Sequence, residues 1–242
     1  MLLIGGTDSS GGAGLARDLR TLTELDTPAL CAVTAVTAQT DQALRAACVM
    51  APELVRAQIE AAFATCAIGA VKIGMLANAA IVHAVADALA LHPEVAVVLD
   101  PVLLSTSGAQ LLEEGGRRAL MERLLGSVAL LTPNIPEAAA LLQCAAAASE
   151  AQALEQAQQL LTRGARAVLL KGGHAGGRES VDLLLSPRGL ERLSAPRLAA
   201  TLRGTGCALA SAIAAHLAQG VPLSLACTRA KAYVGALLQQ RR

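Results

Sequence analysis

A chain of 242 residues, 54% hydrophobic and only 16% charged, can bury a sizeable core without staples, which excludes a disordered polymer. A formal charge of +1 leaves no basic excess for nucleic-acid binding, and one Phe, one Tyr and no Trp leave no base-stacking platform. No apolar run approaches the ~18–20 residues of a spanning helix and no basic leader opens the chain. The expectation is a cytoplasmic protein, not a membrane protein, with one domain over residues 1–242.

Short apolar runs at residues 2–5, 29–36, 70–73, 95–100, 128–131 and 167–171 predict strands. Between them, apolar residues at helical spacing predict helices at 15–25, 52–66, 79–91, 111–125, 136–142 and 150–161. The strands are apolar on both faces, as parallel strands covered by helices must be. Strand alternating with helix predicts an α/β fold, a doubly wound, mostly parallel sheet with right-handed crossovers. After Gly172 the rhythm changes. Runs at 181–185 and 190–194 flank Ser-Pro-Arg-Gly and predict a small edge hairpin, followed by two Ala-rich helices at 205–219 and 223–239. The six cysteines lack CxxC spacing, so, Cys207 apart, free, small, buried hydrophobes are expected, and the four histidines show no metal-ligand spacing.

The polar and Gly-rich clusters fall just after strands: Gly5-Gly6-Thr7-Asp8, Gln39-Thr40-Asp41, Lys72-Ile73-Gly74-Met75, Asp100-Pro101, the run from Thr132 through Asn134 to Glu137, and Lys171-Gly172-Gly173-His174. Parallel strands bring such clusters to one sheet edge, where ligands of open α/β sheets bind. A Gly-rich turn, Ser9 to Gly14, leads into a helix carrying Asp18 and Arg20; it matches neither a P-loop nor GxGxxG. Gly204-Thr205-Gly206-Cys207 precedes an apolar helix. Its free N–H groups and the helix dipole make an anion hole in which a thiol ionises more easily, or, in the plainer reading, a capped helix start with a buried Cys. Only three Lys stand against seventeen Arg, and Lys72 and Lys171 both sit at strand ends, where an ammonium faces a phosphate or stands by chance. Asn134 and Glu137 suit Mg²⁺ held through water, or a capped helix start.

The segments GGTDSSGGAGLARDLRTL, AVTAVTAQ, KIGM, VVLDPVLLSTSGAQLL, LLTPNIPEAAALL, LLKGGH and GTGCALASAIAAHLA occur in one order. Together they resemble the hydroxymethylpyrimidine/phosphomethylpyrimidine kinases of thiamine biosynthesis, in the ribokinase-like superfamily. The resemblance implies a homodimeric, ATP- and Mg²⁺-dependent kinase acting on 4-amino-5-hydroxymethyl-2-methylpyrimidine, then on its monophosphate. It implies that Asp18 and Gln39 hydrogen-bond the aminopyrimidine, with Gly6 and Met75 lining its pocket. Asp100, Asn134 and Glu137 would position Mg²⁺ (Asp100 and Glu137 as metal residues) and the phosphates, and Lys171 would help to place ATP. Gly204, Thr205, Gly206 and Cys207 would form the anion hole beside the transferred phosphoryl group, with Cys207 as base or as a bystander to the N–H groups. Where the family commonly reads Thr-His before this motif, Leu202-Arg203 stand here, and Arg203 is expected to face a phosphate. A pyridoxal/pyridoxine kinase and a non-catalytic pyrimidine sensor are the alternatives on the same scaffold.

Overall fold

The structure is a computed structural model and describes residues 1–40, 42–105, 108–172 and 178–240. The first half comprises β1 (Leu2–Asp8), α1 (Gly14–Glu24), β2 (Leu30–Gln39), β3 (Leu44–Val49), α2 (Pro52–Thr65), β4 (Ala70–Ile73), α3 (Ala79–Leu89) and β5 (Ala96–Leu99). The second half comprises α4 (Glu114–Arg123), β6 (Leu130–Leu131), α5 (Ile135–Leu142), α6 (Glu150–Thr162), β7 (Val168–Leu170), β8 (Glu179–Ser186), β9 (Gly189–Pro196), α7 (Thr205–Ala218) and α8 (Leu223–Gln239). Among the described residues the strands form one nine-stranded sheet in the order β3-β2-β1-β4-β5-β6-β7-β8-β9. The inner strands β2, β1, β4, β5, β6 and β7 are parallel, while β3, β8 and β9 pair antiparallel at the two edges.

Strand alternation divides the core in two. Leu2 and Ile4 of β1 face a cluster shared with α2 to α6, whereas Met1 and Leu3 face one shared with α1, α7 and α8. The same split recurs in β5, where Val97 and Leu99 take one face and Val98 the other. This is why the parallel strands read as unbroken apolar runs rather than as an alternation. Helix α7 is buried on all sides from Ala208 to Ala215, and its small residues let it lie close against the sheet and α8.

The expected strands, helices and edge hairpin are all present with ends shifted by a few residues; β3 is an addition. It is Leu-Arg-Ala-Ala-Cys-Val, mostly exposed, and of a composition that carries little strand preference. The cysteines require a correction. All six are free as expected, but only Cys227 is buried; Cys48, Cys66 and Cys144 are exposed, and Cys31 and Cys207 are intermediate. The exposed three lie on the edge strand or beyond a helix end. Among the described residues no helix is long and apolar enough to cross a membrane.

The chain leaves β1 for β2 on one side and returns to β4 on the other, so the strand order reverses beside β1. Outside the carboxyl ends of the strands at this reversal lies the place where an open α/β sheet receives its ligands.

Candidate active site

A crevice of about 1850 Å³ occupies that place. Gly6, Asp18, Gln39, Met75, Asp100, Asn134, Glu137, Lys171 and the segment from Arg203 to Cys207 all line it, so every sequence-predicted site residue comes to one edge. Asp41, Gly173 and His174, which belong to two of the clusters, lie outside the described residues.

One end is built on β1, β2 and the turn after β4. Gly6 lies against Met75 there: a Cβ would stand 2.8 Å from Met75 Sδ, so any side chain at this position would displace the thioether. The Met75 carbonyl accepts from Thr34 Oγ1 at 2.6 Å, which fixes the thioether wall. Gln39 ends β2, and its backbone is held by Ser9, whose Oγ donates to Gln39 O at 2.9 Å and accepts from Gln39 N at 2.8 Å.

The other end is built on β5, β6 and β7. Asp100 Oδ1 accepts from Lys171 Nζ at 2.8 Å and from Thr132 Oγ1 at 3.3 Å. The same ammonium lies 3.6 Å from Glu137 Oε2. Asn134 and Glu137 form a reciprocal capping box at the start of α5: Asn134 Oδ1 accepts from Glu137 N at 2.8 Å, and Glu137 Oε2 from Asn134 N at 2.7 Å. Burial pushes the Glu137 carboxyl up, Lys171 pulls it down, and repulsion from Asp100 adds to the rise. Burial opposes the Lys171 charge, yet Asp100 and Glu137 outweigh it and hold the ammonium above its usual range.

Helix α7 points its N-terminus between the two ends. Gly204 caps it in the left-handed region at φ +75°, and a side chain there would run into the Gly12 carbonyl and Arg17. No side chain caps the helix, so the first-turn N–H groups of Thr205, Gly206 and Cys207 are left for a ligand. A Cβ on Gly206 would lie 3.3 Å from Lys171 Nζ and 3.6 Å from Asp100 Oδ2, which places this N–H nest directly against the Asp100–Lys171 pair. The expected easy ionisation of Cys207 is corrected by its surroundings. Burial pushes the thiol up to about 11 and Lys72 only partly opposes it.

Three further expectations change. Lys72 does not face a phosphate: it is 1% exposed and donates to Asp18 Oδ2 at 2.7 Å. Asp18 in turn accepts from Ser211 Oγ at 2.8 Å, so each carboxylate oxygen already has an interior donor, and a contact to an aminopyrimidine would be made alongside the Lys72 pair. A buried ammonium requires a counter-charge and hydrogen-bonded neighbours, and Asp18 supplies them. Arg203, expected on a phosphate, donates instead to Asp8, Ser10 and Thr40 at the other rim of the crevice.

Sequence reasoning missed Ser211, hidden within an apolar helix, and the pair Lys231–Asp182 at 2.7 Å on the crevice wall. Asp182 also accepts from Gly172 N at 2.9 Å, tying β8 to the turn after β7. Two signals were available: an Asp inside an apolar strand, and the third of three lysines.

Residues 8–242 match the family model described as phosphomethylpyrimidine kinase. A hydroxymethylpyrimidine/phosphomethylpyrimidine kinase of Rhizobium meliloti is 43% identical over 238 residues, covering 98% of this chain and 89% of that protein. The solved phosphomethylpyrimidine kinase of Clostridium difficile superposes with a TM-score of 0.85 at 32% identity, covering 98% of this chain and 97% of the other. The pyridoxal kinase of Staphylococcus aureus in complex with AMP-PCP and pyridoxal gives 0.89 at 28% identity, covering 98% and 86%.

Proposed function

Because the chain belongs to the phosphomethylpyrimidine kinase family, we propose that it transfers phosphate from ATP to 4-amino-5-hydroxymethyl-2-methylpyrimidine and then to the resulting monophosphate. The observation that carries this reading is the uncapped N-terminus of α7, set between an acceptor pocket of Gly6, Gln39 and Met75 and the charged group Asp100, Lys171 and Glu137. Phosphoryl transfer asks mainly for positioning and for neutralisation of spread negative charge, and a nest of N–H groups at a helix start supplies both.

In this reading the Gln39 amide both donates to and accepts from the pyrimidine edge. Gly6 and Met75 wall the ring. Asp18 acts from below, holding Lys72 and the underside of α7 in place. Gly204, Thr205, Gly206 and Cys207 surround the transferred group. A thiol pushed up to about 11 is protonated near neutrality, which makes Cys207 a bystander to the backbone N–H groups rather than the base that takes the alcohol proton. Lys171 holds a phosphate of ATP as a point charge.

The residues present fit Mg²⁺ brought with the nucleotide. Among the described residues no group of three or more His, Cys, Asp or Glu makes a protein-only site. Asp100 Oδ2 and Glu137 are hard oxygen donors beside the Lys171 ammonium, which suits an ion held largely by water and phosphates. Asp100 and Glu137 would hold it, with Asn134 fixing Glu137, and the ion would neutralise phosphate charge.

The same reading makes residues 1–242 one kinase domain working in the cytoplasm as a homodimer. Six free cysteines suit a reducing compartment, and the exposed Val36 and Val49 on the β2–β3 edge suit a covered face. The likeness to pyridoxal kinase makes pyridoxal the competing acceptor. Release of ADP is measured with the hydroxymethylpyrimidine, its monophosphate and pyridoxal in parallel. Turnover of the two pyrimidines is expected; turnover of pyridoxal alone, or of none despite binding, would overturn the assignment.

A further inference from the structure

Arg203 stands one residue before the cap of α7 and joins segments far apart in sequence. Its Nη2 donates to Asp8 Oδ2 at 3.0 Å, while Nη1 donates to Ser10 Oγ at 2.9 Å and to the Thr40 carbonyl at 3.1 Å. Asp8 is the hub of this arrangement. Its Oδ1 accepts from Ser10 N at 2.9 Å and Ser10 Oγ at 2.8 Å, and its Oδ2 also accepts from Ala13 N at 3.0 Å. The Arg203 and Asp8 side chains are 14% and 4% exposed, so this pair is unlike the solvated surface pairs that contribute almost nothing.

The next link is Ser9. Its hydroxyl holds both backbone groups of Gln39, and it belongs to the turn that Asp8 and Arg203 organise. A chain of contacts thus runs from the cap of α7, through Arg203 and Asp8, to the β1–α1 turn and on to the end of β2. All of it lies on the acceptor side of the crevice, away from Asp100 and Lys171.

We propose that Arg203 is a positioning residue: a latch, centred on its ion pair with Asp8, that fixes the β1–α1 turn against the end of β2. The latch sets how tightly the acceptor is held. It acts through Ser9 on Gln39 and not by touching a phosphate. The inference rests on the pyrimidine kinase reading.

The test is a kinetic double-mutant cycle with the full chain: the unaltered protein, Arg203→Gln, Asp8→Asn and the double variant, with the hydroxymethylpyrimidine and ATP as substrates. Each single change is expected to raise the acceptor KM by about 10-fold, and the double change by no more than either alone, because contacting residues are not additive. The ATP KM stays unchanged, and Arg203→Lys, which keeps the charge but not the fork, recovers part of the acceptor affinity. Additive effects near ~100-fold in the double variant would overturn the latch. So would a raised ATP KM or a lost kcat with an unchanged acceptor KM, which would put Arg203 on the phosphates. If Asp8→Asn does not fold, Ser10→Ala removes a second side-chain partner of Arg203 and completes the cycle. Absence of pyrimidine turnover by the unaltered protein would overturn the kinase reading and the latch together; turnover with additive effects overturns the latch alone.

Discussion

Lys72 shows how one buried charge dictates its neighbours. Burial works against the ammonium, but Asp18 beside it, with Asp100 further off, holds its pKa above the usual range, so it stays charged. Asp18 pairs with it at 2.7 Å, and Ser211 donates to the oxygen that Lys72 leaves. Removing one partner strands the other. Lys72→Met is therefore expected to cost about 3–5 kcal/mol in urea unfolding, and Lys72→Met with Asp18→Leu to cost much less. A single substitution within ~1 kcal/mol of the unaltered protein would mean that the pair is not desolvated as described. In sequence, Lys72 stood out by rarity and Asp18 by resemblance, yet their partnership was not legible. The two are 54 residues apart, and nothing local signals which charge is buried. Asn134 and Glu137 show the opposite case, because a capping box is written within four consecutive residues.

At the scale of elements, periodicity located every helix and all six parallel strands. Burial on both faces imposes unbroken apolar runs, and one covered face imposes helical spacing. The β2–β3 ribbon escaped because its outer strand is left mostly exposed among the described residues, so no apolar pattern was imposed on it. Exposed apolar residues on such an edge invite pairing with another chain. If the ribbon is the homodimer face, Val36→Lys, at a position 47% exposed, is expected to give a monomer by sedimentation while the fold persists by circular dichroism. A dimer unchanged by Val36→Lys would place the interface elsewhere.

For the whole molecule, the sheet edge was legible because parallel strands must end together, whatever their side chains do. What each charged group does there was not legible, since Lys72, Asp18 and Arg203 are all assigned by contacts between distant segments. The folded molecule also has a distinctive alkaline limit. Burial pushes Cys207 up to about 11 and Cys227 to about 12; burial and Glu24 push Tyr233 to about 12. The folded state holds these protons more tightly than the unfolded chain does. The resulting stability is fully present below the ordinary thiol value of 9.0 and is lost as pH climbs through 11 to 12. The Tm is expected to fall steadily from pH 9 upward; a Tm that holds or rises there would contradict these assignments.

The central claim is that one crevice phosphorylates the pyrimidine alcohol and then its monophosphate. Its most direct test is a ³¹P NMR time course of the protein with ATP, Mg²⁺ and 4-amino-5-hydroxymethyl-2-methylpyrimidine. A monophosphate resonance is expected to rise first, then to give way to the coupled pair of a diphosphate. A spectrum in which ATP is untouched, or in which phosphate appears only on added pyridoxal, would contradict it.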